Sequence, residues 1–236
     1  ANINLVAKGD IEIAFVQNDI SYWAYKGEQM FKAPLTNVRA VAALYPEHIQ
    51  VIVAKGAGIT NIASLKGKRV GVGAPGSGTE GDAKAILTLA GVQYSDMKVD
   101  FLDFGATTSR FKDNQIDAGF VVAGYPTASV MDLALTKDID LLSFDDAFLA
   151  KLSSEYPFFV PSAIPGNTYK GVANDVKTPA VMAILVTHHK MADDVLYTFT
   201  KPMFEHMADI PPSHPPGQEI HPPTALHGLT VPLPHG

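Results

Sequence analysis

The stretch Lys68–Thr79 (KRVGVGAPGSGT) holds the residue types best suited to gripping a ligand. A short apolar run breaks into a glycine-rich turn, and the turn opens an amphipathic segment, Glu80 to Ala90, with helical spacing. Glycines let the backbone approach a ligand, and Ser77 and Thr79 bring hydroxyls and an N-cap. The first N–H groups of the helix point outward with the positive end of its dipole behind them. Gly76, Ser77, Gly78 and Thr79 therefore form a candidate anion site for a carboxylate or phosphate. Two nucleotide motifs nearly fit. Gly71, Gly73 and Gly76 have dinucleotide-fingerprint spacing, but Pro75 interrupts the turn and no acidic strand end follows at ribose distance. Gly73 to Gly78 has P-loop spacing, but Thr79 stands where that loop needs lysine. The alternative is a strand-to-helix turn that uses glycine for geometry alone.

Other candidates sit where strands should end. Gln17, Asn18 and Asp19 follow one apolar run. An amide can bond a carboxylate or an amino group, and Asp19 suits an α-ammonium or, alternatively, caps the helix that follows. Tyr45 before Pro46 could close over a ligand or pack in a hinge, and Tyr125 before Pro126 has the same two roles. Phe104 and Gly124 belong to neighbouring strand ends. Tyr22, Trp23 and Tyr25 read as a packing face of a helix. Ser77 lacks the Gly-x-Ser-x-Gly frame of a hydrolase elbow. His206, His214, His221, His227 and His235 crowd the last part of the chain, but without a His-Glu-x-x-His pattern, so no metal is expected. No cofactor is expected either.

Those groups need a scaffold. The chain has 236 residues, 47% of them hydrophobic, enough for one large or two small domains. Its net charge of −6, without a basic stripe, argues against nucleic acid. It has no cysteine, which excludes disulfides and thiol chemistry. The apolar runs at 40–45 and 181–186 are too short to insert in a membrane.

The hydrophobic pattern alternates between strand and helix. Strands are expected at 11–16, 38–44, 49–54, 69–72, 98–103, 117–122, 139–142, 158–164 and 180–187. Helices are expected at 19–26, 80–90, 107–113, 126–135, 145–155 and 192–208. Residues 10–16 and 115–121 share the pattern x-Ile-acid-apolar-small-Phe-Val, and both read as buried strands whose ends lie at the carboxyl edge of a parallel sheet. The repeated strand–helix order between Arg69 and Glu155 reads as one parallel α/β lobe. The other lobe is then discontinuous: 1–54 with 158–236 against 55–157, with crossings at 54–58 and 155–164 and a hinge at Gly56 and Gly58. The paired prolines of the tail are expected to fix extended connections wrapping one lobe.

Together these segments resemble the TAXI-type solute-binding receptors of tripartite (TRAP) transporters. The resemblance is carried by Gly9–Asp19 (GDIEIAFVQND), Ala43–Pro46 (ALYP), Leu65–Thr79 (LKGKRVGVGAPGSGT), Gln115–Thr127 (QIDAGFVVAGYPT) and Leu226–His235 (LHGLTVPLPH), in the same order along essentially the whole chain. It implies an α/β, two-lobed, type II periplasmic-binding-protein-like fold that closes on a small carboxylate, such as glutamate, glutamine or a related organic acid. It also implies membrane transporter components as partners, an extracytoplasmic location and no chemistry on the ligand. Members of that family begin with a signal peptide and a further strand, so the first lobe is expected to be incomplete at its amino-terminal end. A ligand-sensor domain of the same fold, or less readily a serine-dependent hydrolase, is the alternative.

Overall fold

The structure, a computed structural model, describes residues 2–211 and 215–234. The elements in chain order are α1 (Asn2–Lys8), β1 (Ile13–Gln17), α2 (Asn18–Lys26), β2 (Val38–Ala54), β3 (Arg69–Gly71), α3 (Gly78–Leu89), β4 (Lys98–Asp100) and α4 (Phe104–Lys112). They continue with β5 (Ala118–Ala123), α5 (Ala128–Thr136), β6 (Ile139–Leu141), α6 (Asp146–Glu155), β7 (Val160–Ile164), β8 (Val176–His188) and α7 (Asp193–Glu205). Short 3-10 turns punctuate the connections. The chain forms two compact units, Ala1–Pro46 with Val181–Gly236, and Glu47–Ala180. It passes from one to the other inside β2 and inside β8. The segments 54–58 and 155–164, with Gly56 and Gly58, lie in the second unit.

In the first unit β1 pairs antiparallel with β8, Ile13 opposite Thr187 and Gln17 opposite Ala183. The expectation of a buried strand in a parallel sheet fails here, since β1 has one strand neighbour among the described residues and Phe15 is 58% exposed. An antiparallel sheet can keep one face in water, whatever the strand's apolar pattern. Trp23 is buried, consistent with α2 turning an apolar stripe inward. Ala42, Leu44, Ala183 and Leu185 form a core with Ile220 and Ala225 of the tail. The tail is not simply extended. It folds into 3-10 turns at Pro215–Glu219 and Pro222–Thr224, then lies along β2, where Ala43 N–H donates to Ala225 O (2.7 Å) and Ala40 N–H to Pro232 O (2.9 Å). His214 and His235 lie outside the described residues.

In the second unit the strand order is β2–β5–β3–β4, with β6 also on β2 and β7 on β8. The pairs β3–β4 and β3–β5 are parallel, whereas β2 runs antiparallel to β5 and β6, and β7 to β8. The parallel lobe read from the strand–helix alternation is therefore present with an antiparallel strand added. The core gathers Ile52, Phe111, Ile116, Val121, Val130, Leu133 and Ile139. Helix α4 lies close against β5: a Cβ on Gly119 would stand 2.6 Å from Thr107 Cγ2. A further expectation is corrected. Residues 38–54 form a single 17-residue strand rather than two, so Tyr45 sits mid-strand, not at an end. Proline lacks an N–H but its φ suits extended backbone, so Pro46 interrupts the hydrogen-bond ladder without ending the strand.

Candidate functional site

Because β3, β4 and β5 run parallel, their carboxyl ends share one edge of the second unit, and each feeds a helix whose N-terminus opens there. The first of these connections is the glycine turn. Gly73 adopts φ +97°, and a Cβ there would lie 2.7 Å from Glu80 N and 2.9 Å from Thr79 Cβ, so only glycine lets the turn fold back on the helix. Ser77 caps α3, its Oγ accepting the Glu80 N–H (3.2 Å). The helix therefore begins at Gly78, two residues before the sequence expectation. Gly78 and Thr79 supply first-turn N–H groups that no carbonyl of the helix can reach. Thr79 is buried, and Gly76 turns with φ +69° into open space. Glu80 accepts a hydrogen bond from the Tyr94 hydroxyl (3.1 Å), and burial together with the Glu80 charge raises the Tyr94 pKa.

The three helix starts differ in charge. Asp103 caps α4 through its Oδ1 on Ala106 N–H (2.7 Å), so a carboxylate already occupies that dipole end, and Phe104 packs its ring against the core. Helix α5 has no carboxylate at its cap or in its first turn. Its cap, Thr127, is held from three sides instead. Thr127 N–H donates to the Tyr169 hydroxyl (2.9 Å), Thr127 Oγ1 donates to Gly124 O (2.9 Å), and Gln50 Nε2 donates to Thr127 Oγ1 (2.8 Å). The Tyr169 hydroxyl completes the circuit by donating to Gln50 Oε1 (2.6 Å). Gln50 and Tyr169 are both 1% exposed, so every polar atom here has a partner where an orphan would be costly. Burial raises the Tyr169 pKa, which keeps it a donor.

Beside this circuit stands His48. Its Nε2 lies 2.9 Å from Ser162 Oγ, and its ring meets Tyr125 edge-to-face at 4.6 Å, next to the cis Tyr125–Pro126 bond. Burial lowers the His48 pKa to about 4, so the ring is neutral at pH 7. Its Nδ1 has no hydrogen-bond partner among the described residues, so the Ser162–His48 pair there lacks the carboxylate of a hydrolytic triad. Ser77, the serine weighed as a nucleophile, spends its oxygen as a helix cap.

Gln17, Asn18, Asp19 and Tyr45 belong to the first unit. Gln17 is the N-cap residue of α2, with no side-chain cap bond, and Asp19, expected there as a cap, is instead the second helical residue and fully buried. The Asn18 amide is occupied by its own unit: Nδ2 donates to Gly228 O (2.9 Å) and Oδ1 accepts from Met182 N–H (3.0 Å). Ser21 and Thr230 join that knot at 2.7 Å, so Asn18 anchors the tail. Tyr45 packs against the unit's core. The structure thus brings Gly76–Thr79, Phe104 and Gly124–Pro126 to one edge of the second unit. Sequence reading missed His48, Gln50, Ser162 and Tyr169 there. The available signal was His48 and Gln50, two residues apart, which puts two polar side chains on one face of an apolar strand.

A family model spans residues 1–236, the NMT1-like family. The chain belongs to that family. Among solved structures it resembles the periplasmic aliphatic sulphonate-binding protein SsuA of Escherichia coli, at 13% identity and TM-score 0.53, covering 86% of this chain and 56% of that one. A protein of Bordetella bronchiseptica RB50 matches at 18% identity and TM-score 0.57, covering 94% and 62% respectively. A Xanthomonas citri protein bound to chloride ion matches at 10% identity and TM-score 0.53, covering 97% and 72%. The fold is therefore the mixed α/β, central-sheet fold of periplasmic binding proteins. The chain spans 56% and 62% of the length of the first two relatives. No helix among the described residues is long and apolar enough to cross a membrane.

Proposed function

We propose that this chain is a solute-binding receptor that captures a small organic anion and hands it to membrane components of a transporter, without altering it. The reading rests on the carboxyl edge of the second unit, where the caps of α3 and α5 are neutral, α5 has no carboxylate in its first turn, Glu80 in the first turn of α3 is bonded by the Tyr94 hydroxyl, and the first N–H groups of both helices lie beyond the reach of the helices' own carbonyls. Gly76–Thr79 hold the anionic group together with the Ala128 and Ser129 N–H groups that follow the Gly124–Thr127 turn. His48 and Tyr125 form a neutral, partly apolar wall for the rest of the ligand. A carboxylate such as glutamate, glutamine or a C4-dicarboxylate fits this chemistry, and so does a sulfonate, the class named for the E. coli relative. The five TAXI-like segments favour a TRAP transporter as the recipient and an extracytoplasmic location. Calorimetry with glutamate, glutamine, succinate and ethanesulfonate, and with NAD and ATP as controls, tests the reading. Saturable binding of one of the small anions is the expected result. Binding of NAD or ATP alone, or of none of these compounds, overturns it.

A further inference from the structure

The opposite, amino-terminal edge of the same strands carries a separate cleft of about 400 Å³, lined in part by Lys55, Arg69, Asn114, Asp117, Lys137 and Asp138 over an apolar floor. The Arg69–Asp117 pair is closed on itself. Arg69 Nη2 donates to Asp117 Oδ1 (2.6 Å), and Nε and the backbone N–H donate to Oδ2 (3.1 and 2.9 Å). The lysines are different. Lys55 Nζ donates to Gly171 O (2.8 Å), Lys137 Nζ to Asn114 Oδ1 (3.0 Å), and Lys68 Nζ to Ala57 O (2.7 Å), a residue that also lines the cleft. Each of these acceptors is neutral, and none of the three lysines forms an ion pair among the described residues. An ammonium has three donors, so each keeps two after these bonds. The acids of the lining are Asp117, which is held by Arg69 and also feels the Lys68 charge, and the exposed Asp138.

We infer that this cleft is a second anion site, which takes a small dianion of the phosphate or dicarboxylate class. The neutral acceptors fix where each lysine stem points, so the two ammoniums on the cleft wall, Lys55 and Lys137, are aimed while their charge is left for a ligand. Arg69 lines the same cleft with its charge met by Asp117 and its Nη1 donating to Asn114 O (2.8 Å).

The same chemistry could arrive as a free dianion or on an acidic peptide, and the experiment separates them. The full chain is titrated with inorganic phosphate, succinate and a hexaglutamate peptide, at ionic strength held constant with KCl. Phosphate or succinate is expected to bind saturably. Lys55→Gln with Lys137→Gln should weaken that binding about tenfold, each single change giving part of the loss. Lys98→Gln, exposed and outside the cleft, should change it less than twofold. The part of the binding that the double lysine change removes should persist in a Gly73→Ala variant, which disturbs the carboxyl edge, so this inference stands or falls apart from the receptor reading. Heat from the peptide alone, an equal loss in Lys98→Gln, or loss of the lysine-dependent part in Gly73→Ala would overturn it.

Discussion

His48 makes the acid stability of the protein a residue-level question. Its pKa is near 6.5 when unfolded and about 4 when folded, because burial beside Ser162 and Tyr125 penalises the charged ring. Between those values the unfolded chain binds more protons than the folded one, so the stability due to neutral His48 is complete above pH 6.5 and declines as pH falls to about 4. The shift corresponds to about 3 kcal/mol. Asp117 titrates in a lower window. The Arg69 hydrogen bonds hold its carboxyl below the usual value, so its contribution is present above the unfolded carboxylate pKa and fades in stronger acid. His188 is shifted in the same direction as His48, also by burial, so the useful quantity is a difference between proteins. Thermal melts from pH 7.5 to 4 should show a shallower fall for His48→Gln than for the parent. Parallel curves would mean that His48 is protonated without cost in the folded state.

At the scale of elements, the strand-to-helix turn at Gly73–Ser77 is legible in the sequence. A glycine turn after an apolar run, followed by serine and helical spacing, carries its own geometric meaning, and Ser77 does cap α3. The ends of β2 were not readable. Proline is a strand breaker in statistics, but Pro46 lies within a single continuous strand. Nor could β1 be told from β5 by pattern. Their heptapeptides match, but β5 lies between β2 and β3 and is buried, while β1 lies against β8 alone and exposes Phe15. Neighbours set burial, and neighbours are not written in a heptapeptide. The Gln50–Thr127–Tyr169 circuit escaped for the same reason, since it joins residues brought together only by the fold. Gly73→Ala tests the turn. The added methyl meets Glu80 N and Thr79 in a backbone conformation that alanine rarely adopts, at a cost of about 1–3 kcal/mol. It should lower the melting temperature and weaken binding at the carboxyl edge by more than that loss of stability explains, because the α3 start is displaced. Unchanged affinity for the small anion would detach α3 from the site.

At the scale of the whole molecule, the two units ask different things of the chain. Glu47–Ala180 is one continuous segment with its own parallel strands, four flanking helices and an apolar core built from its own residues. The other unit is assembled from two separated segments, with β1 on β8, the Asn18 amide on Met182 and Gly228, and β2 bonded to Ala225 and Pro232 of the tail. Loop closure favours the continuous unit, since its contacts form without first joining distant stretches of chain. A chain of residues 47–180 should therefore fold alone and unfold cooperatively in urea, although the shortened ends of β2 and β8 will reduce its stability. The Gln50–Thr127–Tyr169 circuit and the His48–Ser162 bond lie wholly inside it, so the His48 titration should persist there. The two edges proposed to bind anions lie inside it as well. The cleft at the amino-terminal edge should give the same phosphate titration in this shorter chain as in the full one, because Lys55, Arg69 and Lys137 are all retained. Circular dichroism with urea titration and the same calorimetry check this. A broad, non-cooperative transition would show that the second unit depends on contacts from outside its own segment.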